Sequence, residues 1–109
     1  MTEKTKNELD NIVKTIADTG MVSKIILFGS AARGEERPDS DIDLCVLTPI
    51  TDRRPRDITV DLRMKLWDVQ KEVPLDLLTY HQDRFEYQAA RDRSIENTIY
   101  KEGVVLYER

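Results

Sequence analysis

Apolar and polar positions change period along this chain, and the change predicts helices and strands in turn. Near the N-terminus the apolar residues recur at the spacing of one helix face: Leu9, Ile12, Val13, Ile16 and Ala17. Thr5 and Glu8 form a capping-box pattern before them, and Gly20 follows where a helix would end. The pattern therefore predicts an amphipathic first helix whose apolar stripe packs against a sheet.

Short apolar runs, each bounded by glycine, proline or polar residues, predict four strands. The predicted strands are residues 24–28, 41–47, 74–80 and 104–107. The first strand ends at Gly29-Ser30, and residues 31–33 predict a short helical turn that Ser30 would cap. Residues 34–40 are polar and predict a loop, and residues 48–56 predict an exposed connection.

Two further helices are predicted between the later strands. Apolar residues lie at helical spacing after the second strand: Ile58, Leu62, Leu66 and Val69. We expect Trp67 to pack at the edge of that helix, because a lone tryptophan is usually a core residue. Residues 85–100 predict one more helix, which Gly103 closes. The order of elements predicts an α+β (mixed α/β) fold: one domain over residues 1–109, with a mixed central sheet and helices packed against it.

Composition narrows the class of protein. A chain of 109 residues has the size of one domain, and 39% apolar residues suffice for one core. Lys plus Arg number 17 and Asp plus Glu number 21, so the net charge of −4 argues against a protein that grips long nucleic acid. No membrane span or signal peptide is recognisable, which predicts a cytoplasmic protein without a membrane partner. The single cysteine, Cys45, lies in an apolar run and is predicted to pack in the core.

Aspartates in two predicted strands are the strongest indication of chemistry. Side chains alternate along a strand, so Asp41 and Asp43 share one face, where their like charges favour a bound cation. Asp76 lies between apolar residues, which is tolerable if it faces the pair and shares the cation. Carboxylate oxygens suit Mg²⁺ or Mn²⁺, and Asp41 and Asp43 could both bridge two such ions. Asp76 would hold the ion nearer an attacking hydroxyl and help to remove its proton. An Asp-x-Asp pair alone, however, also fits a solvated edge strand.

The Gly29-Ser30 pair supplies a predicted phosphate site. A glycine at a strand end lets the backbone approach a ligand, and a serine at the start of a helical turn directs N–H groups and a hydroxyl at an anion. The Lys-Ser or Lys-Thr of a Walker A loop is absent. Arg33 is placed to reach phosphate or to hold the loop against an acidic residue, and arginine does both well.

Together these motifs resemble the nucleotidyltransferase superfamily of polymerase β type, and within it the MNT family of minimal proteins encoded beside HEPN-domain partners. The residues that carry the resemblance are Gly29, Ser30, Ala32, Arg33, Gly34, Ser40, Asp41, Asp43, Leu44 and Asp76. The resemblance implies that Asp41, Asp43 and Asp76 are catalytic and bind Mg²⁺. It also places Gly29, Ser30, Arg33 and Ser40 among the residues that bind the nucleotide.

The resemblance further implies an activity and a partner. The expected activity is transfer of a nucleoside monophosphate, AMP from ATP or another nucleoside triphosphate, to a hydroxyl. The expected acceptor is a tyrosine of a HEPN ribonuclease toxin, with which the chain would form a hetero-oligomer as a type VII-like antitoxin.

Two other functions stay open at this stage. One is a catalytically idle module that neutralises its partner by surface contact, and the other is transfer to a small hydroxyl compound. We interpret His81 as a loop residue, because it has no Cys or His neighbours in the sequence. The tyrosines, Tyr80 among them, are expected to pack with their hydroxyls in water.

Overall fold

The structure, a computed structural model, describes residues 1–35, 37 and 41–109. Its helices and strands, in chain order, are α1 Glu3–Asp18, β1 Lys24–Phe28, β2 Ile42–Thr48, α2 Pro55–Lys65, β3 Leu75–His81, α3 Gln82–Ala89, α4 Ile95–Glu102 and β4 Val104–Glu108. No helix in this part of the chain is long and apolar enough to cross a membrane.

The described strands form one mixed sheet, as predicted, and their order in the sheet is β3-β2-β1-β4. β1 pairs antiparallel with β2 and with β4, whereas β2 and β3 are parallel and are joined through α2. A parallel pair needs a long crossover, and α2 supplies it. The start of β3 therefore lies beside the start of β2, and the end of β1 lies at the same end of the sheet.

The core occupies both faces of the sheet, because each strand alternates its side chains between them. On one face α1 and α2 bury the larger cluster, which includes Ile12, Ile25 and Leu44. On the other face α3 and α4 cover a smaller cluster around Cys45 and Phe85. Cys45 is fully buried, as predicted, and burial together with the charge of Glu96 raises the pKa of its thiol to about 12.

The predicted helix over residues 85–100 is wrong, because the structure breaks it into α3 and α4. Arg93 adopts a positive φ of 68° between them, and Ser94 starts α4 by accepting a hydrogen bond from the backbone N–H of Asn97. This N-cap favours a new helix start, which the continuous helix-compatible composition concealed.

The predicted capping box of α1 is also wrong. Thr2 is the N-cap, and its side chain accepts from the N–H of Thr5 at 3.1 Å. The Glu8 carboxylate instead reaches across the molecule and accepts hydrogen bonds from the backbone N–H groups of residues 71–73, the nearest being Val73 at 2.7 Å. Glu8 thus ties α1 to the turn that precedes β3.

Two aromatic side chains differ from the predictions. Trp67, in the turn directly after α2, is 84% exposed rather than packed at the helix edge. Ile58 and Leu62 are four residues apart and are buried against the sheet, but Trp67 does not continue this spacing, and its side chain projects into solvent. The Tyr80 hydroxyl is not in water: it donates to Glu96 Oε2 at 2.6 Å and links β3 to α4.

Candidate active site

The parallel pairing of β2 and β3 brings two of the predicted aspartates side by side. Asp43 and Asp76 are direct partners in the register, and Phe28, the last residue of β1, is the partner of Asp43 on its other side. Both carboxylates project from the face that carries the Cys45 cluster, at the end of the sheet where β1 finishes. Three neighbouring strands, β1, β2 and β3, therefore meet at this point.

The carboxylates influence one another through their charges. Burial raises the pKa of the Asp43 carboxyl, and the negative charges of Asp76 and then Asp41 raise it further. Asp41 lies just before β2 and is exposed. Among the described residues, none of the three aspartates takes part in an ion pair. The site thus gathers negative charge that no ion pair with another described residue balances.

Gly29 is in close contact with this charge. Its φ of +75° belongs to the left-handed region that glycine adopts readily. A Cβ placed on Gly29 would overlap Oδ2 of Asp43 and lie 3.3 Å from its Cγ. The glycine therefore serves two purposes: it turns the chain sharply after β1, and it lets the backbone lie directly against the Asp43 carboxylate.

The turn after Gly29 has donors available for an anion. Residues 30–34 form the predicted helical turn, in which the N–H of Arg33 is shared between the carbonyls of Gly29 and Ser30. Within the described part of the chain, the backbone N–H groups of residues 30–32 and the Ser30 hydroxyl have no hydrogen-bond partner. Free N–H groups at the start of a helical turn are typical of phosphate sites, and this one adjoins the carboxylates.

The remaining predicted nucleotide-binding residues are less directly placed. Arg33 is exposed and its Nε donates to Glu35 Oε2 at 3.1 Å, so it holds the loop against an acidic residue, which is one of its two predicted roles. Ser40 lies outside the described residues. Its assignment to the nucleotide site stays a prediction.

The donor set is suited to a hard divalent cation, because it consists of carboxylates that form no ion pair with another described residue. In the described residues, however, no group of three or more His, Cys, Asp or Glu side chains is arranged to hold a metal ion. The fold aligns Asp43 with Asp76, and Asp41, the residue before β2, adds its negative charge to theirs. The three-carboxylate metal site stays a prediction.

Sequence reasoning missed the residues that fix the start of β3, where Asp76 lies. The N–H of Ile42 donates to the carbonyl of Pro74 at 2.8 Å, and Arg63 Nη2 donates to the carbonyl of Leu75 at 3.2 Å. Glu8 holds the preceding turn. These bonds join residues far apart in the chain, so no local pattern could have shown them. The only local signal was the position of Arg63 in the last turn of an amphipathic helix.

A family model and a relative of similar length each match most of the chain. The family model described as "Polymerase beta, Nucleotidyltransferase" matches residues 10–109. A candidate protein adenylyltransferase of Methanocaldococcus jannaschii is 31% identical over 105 residues, which cover 96% of this chain and 97% of that protein.

Solved structures share the fold. A candidate nucleotidyltransferase from Sulfolobus solfataricus superposes with a TM-score of 0.62 at 18% identity, over 97% of this chain and 82% of the other. A toxin–antitoxin crystal structure with AMP-PNP superposes with a TM-score of 0.60 at 23% identity, over 94% of this chain and 74% of the other. A mutant of the toxin–antitoxin MntA–HpeT superposes with a TM-score of 0.60 at 20% identity, over 90% of this chain and 70% of the other. The family match over residues 10–109 shows that the chain belongs to the polymerase beta nucleotidyltransferase family.

Proposed function

We propose that this nucleotidyltransferase transfers AMP from ATP to a hydroxyl of a partner protein, specifically a tyrosine of a HEPN ribonuclease toxin, and so acts as a type VII-like antitoxin. The observation that carries the proposal is the contact between the Gly29 turn and the Asp43 carboxylate, with Asp76 beside it. In this arrangement the turn that we propose as the phosphate site lies against acidic groups. The Methanocaldococcus jannaschii relative supports a protein acceptor by its name, and the toxin–antitoxin structure with AMP-PNP supports ATP and a toxin partner.

Different residues of the chain would bind the triphosphate and the metal ion. The free N–H groups of residues 30–32 and the Ser30 hydroxyl would bind the triphosphate. Asp41, Asp43 and Asp76 would hold Mg²⁺, or Mn²⁺ in its place. When bound, the metal would neutralise charge on the phosphates as the leaving group departs.

The proposed reaction is an in-line displacement at the α-phosphorus. The acceptor oxygen forms a bond to that phosphorus while the bond to the bridging oxygen of the β-phosphate breaks, and pyrophosphate leaves. Asp76 would accept the hydroxyl proton, since it lies at the exposed edge of the site, on β3. Asp43 is more buried and central, which suits a role in holding charge rather than exchanging protons.

A transfer assay tests the proposal. The purified chain is incubated with ATP, Mg²⁺ and the proposed partner, a HEPN-domain protein, and the mass of that protein is measured. We expect its mass to increase by one or more adenylates, with the modified residue a tyrosine. Asp43→Asn and Asp76→Asn should abolish the increase, whereas Asp10→Asn, an exposed carboxylate of α1, should not. Unchanged mass, together with toxin inhibition that survives Asp43→Asn, would show an idle binding module instead.

A further inference from the structure

The strand that carries Asp76 has a neighbouring strand on one side only. β3 is an edge strand of the described sheet, and β2 pairs with it on its inner side. Successive backbone carbonyls of an extended chain point to opposite sides. The carbonyl of Pro74 points towards β2, because it accepts the N–H of Ile42 at 2.8 Å. The next carbonyl, that of Leu75, therefore points to the open edge, one residue before Asp76.

Arg63 supplies a contact on that open side. It lies in the last turn of α2, and its Nη2 donates to the Leu75 carbonyl at 3.2 Å. Among the described residues this hydrogen bond is the only polar contact of the guanidinium, which forms no ion pair. The start of β3 is therefore held by β2 on its inner side and by Arg63 on its outer side.

The helix that carries Arg63 is a firm support for this contact. Leu62 is fully buried against the sheet, and Thr59 Oγ1 shares a hydrogen bond of 2.6 Å with Thr79 Oγ1 of β3. These contacts lie on the face of the sheet opposite to that of the site carboxylates. Arg63 is therefore connected to the carboxylates through the backbone of β3.

The two paired carboxylates differ in how firmly their strands are held. Asp43 lies on β2, which has a strand on each side, whereas Asp76 lies at the start of an edge strand. The start of an edge strand opens locally more easily than a central strand. A misplacement of about 1 Å can lower the rate of an enzyme about a hundredfold. A contact that steadies the start of β3 therefore bears on the geometry of the site.

We propose that Arg63 is a positioning residue for the transfer reaction, because its bond to the Leu75 carbonyl holds Asp76 in place from the open edge. The inference rests on the proposed function, in which Asp76 accepts the proton of the attacking hydroxyl. Arg63 touches neither ATP nor the acceptor in this role. The phosphate site proposed at the Gly29 turn lies at the end of β1, two strands away from β3. Loss of the contact should therefore lower kcat and leave the KM for ATP unchanged.

Steady-state transfer tests this role, with ATP, Mg²⁺ and a purified HEPN-domain protein as the acceptor. Arg63→Met keeps the apolar part of the side chain but removes the donor. We expect kcat to fall by about tenfold to a hundredfold, with the KM values for ATP and for the acceptor unchanged. The matched control is Arg56→Met on the same helix. Arg56 is exposed and forms no ion pair or side-chain hydrogen bond with another described residue, so this variant should behave as the wild type.

Stability is measured separately, because destabilisation alone can lower activity. Gly20→Ala, which strains a positive φ far from the carboxylates, should lower the melting temperature at least as much as Arg63→Met and keep the wild-type kcat. Hydrogen–deuterium exchange of the free proteins measures the contact itself. The backbone of residues 74–78 should exchange about fivefold faster in Arg63→Met, and at the wild-type rate in Arg56→Met and Gly20→Ala.

The outcomes separate this inference from the proposed function. Transfer by the wild type with an unchanged kcat in Arg63→Met would overturn the inference and leave the activity standing. An equal loss of kcat in Gly20→Ala would assign the effect to stability and also overturn it. If the wild type transfers nothing, the proposed function is wrong. Faster exchange of residues 74–78 in Arg63→Met alone would then still support the positioning of Asp76, and equal exchange in all variants would overturn it.

Discussion

At the scale of single residues, Gly29 is the position where backbone conformation and site chemistry coincide. Its positive φ is shared with Gly20, at +72°, but a Cβ on Gly20 meets nothing within 4 Å, whereas one on Gly29 overlaps the Asp43 carboxylate. Substitutions at the two glycines can therefore distinguish the energetic cost of a positive φ from the effect of displacing the Asp43 carboxylate.

We predict that Gly29→Ala and Gly20→Ala each lower the free energy of unfolding by about 1–2 kcal/mol, because alanine is strained at positive φ. Only Gly29→Ala should also lose transfer activity, by about 100-fold or more, since the Asp43 carboxylate must move. Urea denaturation and the mass-based transfer assay measure the two effects. Equal activity in both variants would mean that the overlap with Asp43 has no catalytic consequence.

At the scale of elements, Glu8 connects α1 to the turn before β3. Burial raises the pKa of its carboxyl, but hydrogen bonds from the backbone of Val73, Glu72 and Lys71, with the charge of Lys4, outweigh burial and lower the pKa overall. A carboxyl with a lowered pKa in the folded state stabilises the fold above its ordinary pKa and loses that contribution as the pH falls.

We expect Glu8→Ala to lower the free energy of unfolding by about 1–2 kcal/mol at pH 7, because three backbone donors lose a charged acceptor. The difference from wild type should shrink as the pH falls below the ordinary glutamate pKa and through the lowered one. Urea denaturation across acidic pH measures it, and Asp10→Ala, also an acidic residue of α1, is the control. A difference that stays constant with pH would contradict the role of the charge.

Tyr80 connects β3 to α4 through the nearly buried Glu96, which is 9% exposed. Burial raises the pKa of the Tyr80 phenol, and so do its hydrogen bond to Glu96 and the charge of that residue. We predict that Tyr80→Phe lowers the free energy of unfolding by about 1–3 kcal/mol, because Glu96 loses its donor. The exposed Tyr100→Phe should change it by less than about 0.5 kcal/mol in the same denaturation experiment, and equal effects would contradict the prediction.

At the scale of the whole molecule, the sequence predicted what depends on short stretches of chain. The strands, the mixed sheet and the Gly29 turn followed from local periodicity and glycine chemistry, and the structure has them. The break at Ser94, the reach of Glu8 and the burial of the Tyr80 hydroxyl did not follow, because each depends on residues that the register brings together. Trp67 was misjudged for the same reason: residue type favours burial, but the fold decides which side of α2 meets the sheet.

The crowding of negative charge at Asp43 should have opposite consequences for the free protein and for the proposed complex with Mg²⁺ and ATP. In the free protein the Asp43 carboxylate is partly buried and is repelled by the negative charges of Asp76 and Asp41. Asp43→Asn should therefore remove this repulsion and raise the Tm by roughly 2–4 °C. With Mg²⁺ and ATP at about a hundred times the Kd, the wild-type Tm should rise by about 10 °C or more, and EDTA should reverse the rise.

Asp43→Asn should show little or no such rise, so the order of the two melting temperatures inverts when Mg²⁺ and ATP are added. Asp10→Asn, which removes an equal charge far from the carboxylates, should follow the wild type under both conditions. Differential scanning calorimetry measures all three proteins with and without Mg²⁺ and ATP. A lower Tm for free Asp43→Asn would contradict the repulsion, and an equal rise for Asp43→Asn and wild type would remove Asp43 from the nucleotide site. The inversion, in contrast, would show that this carboxylate is kept at a cost to the free fold because the bound state needs it.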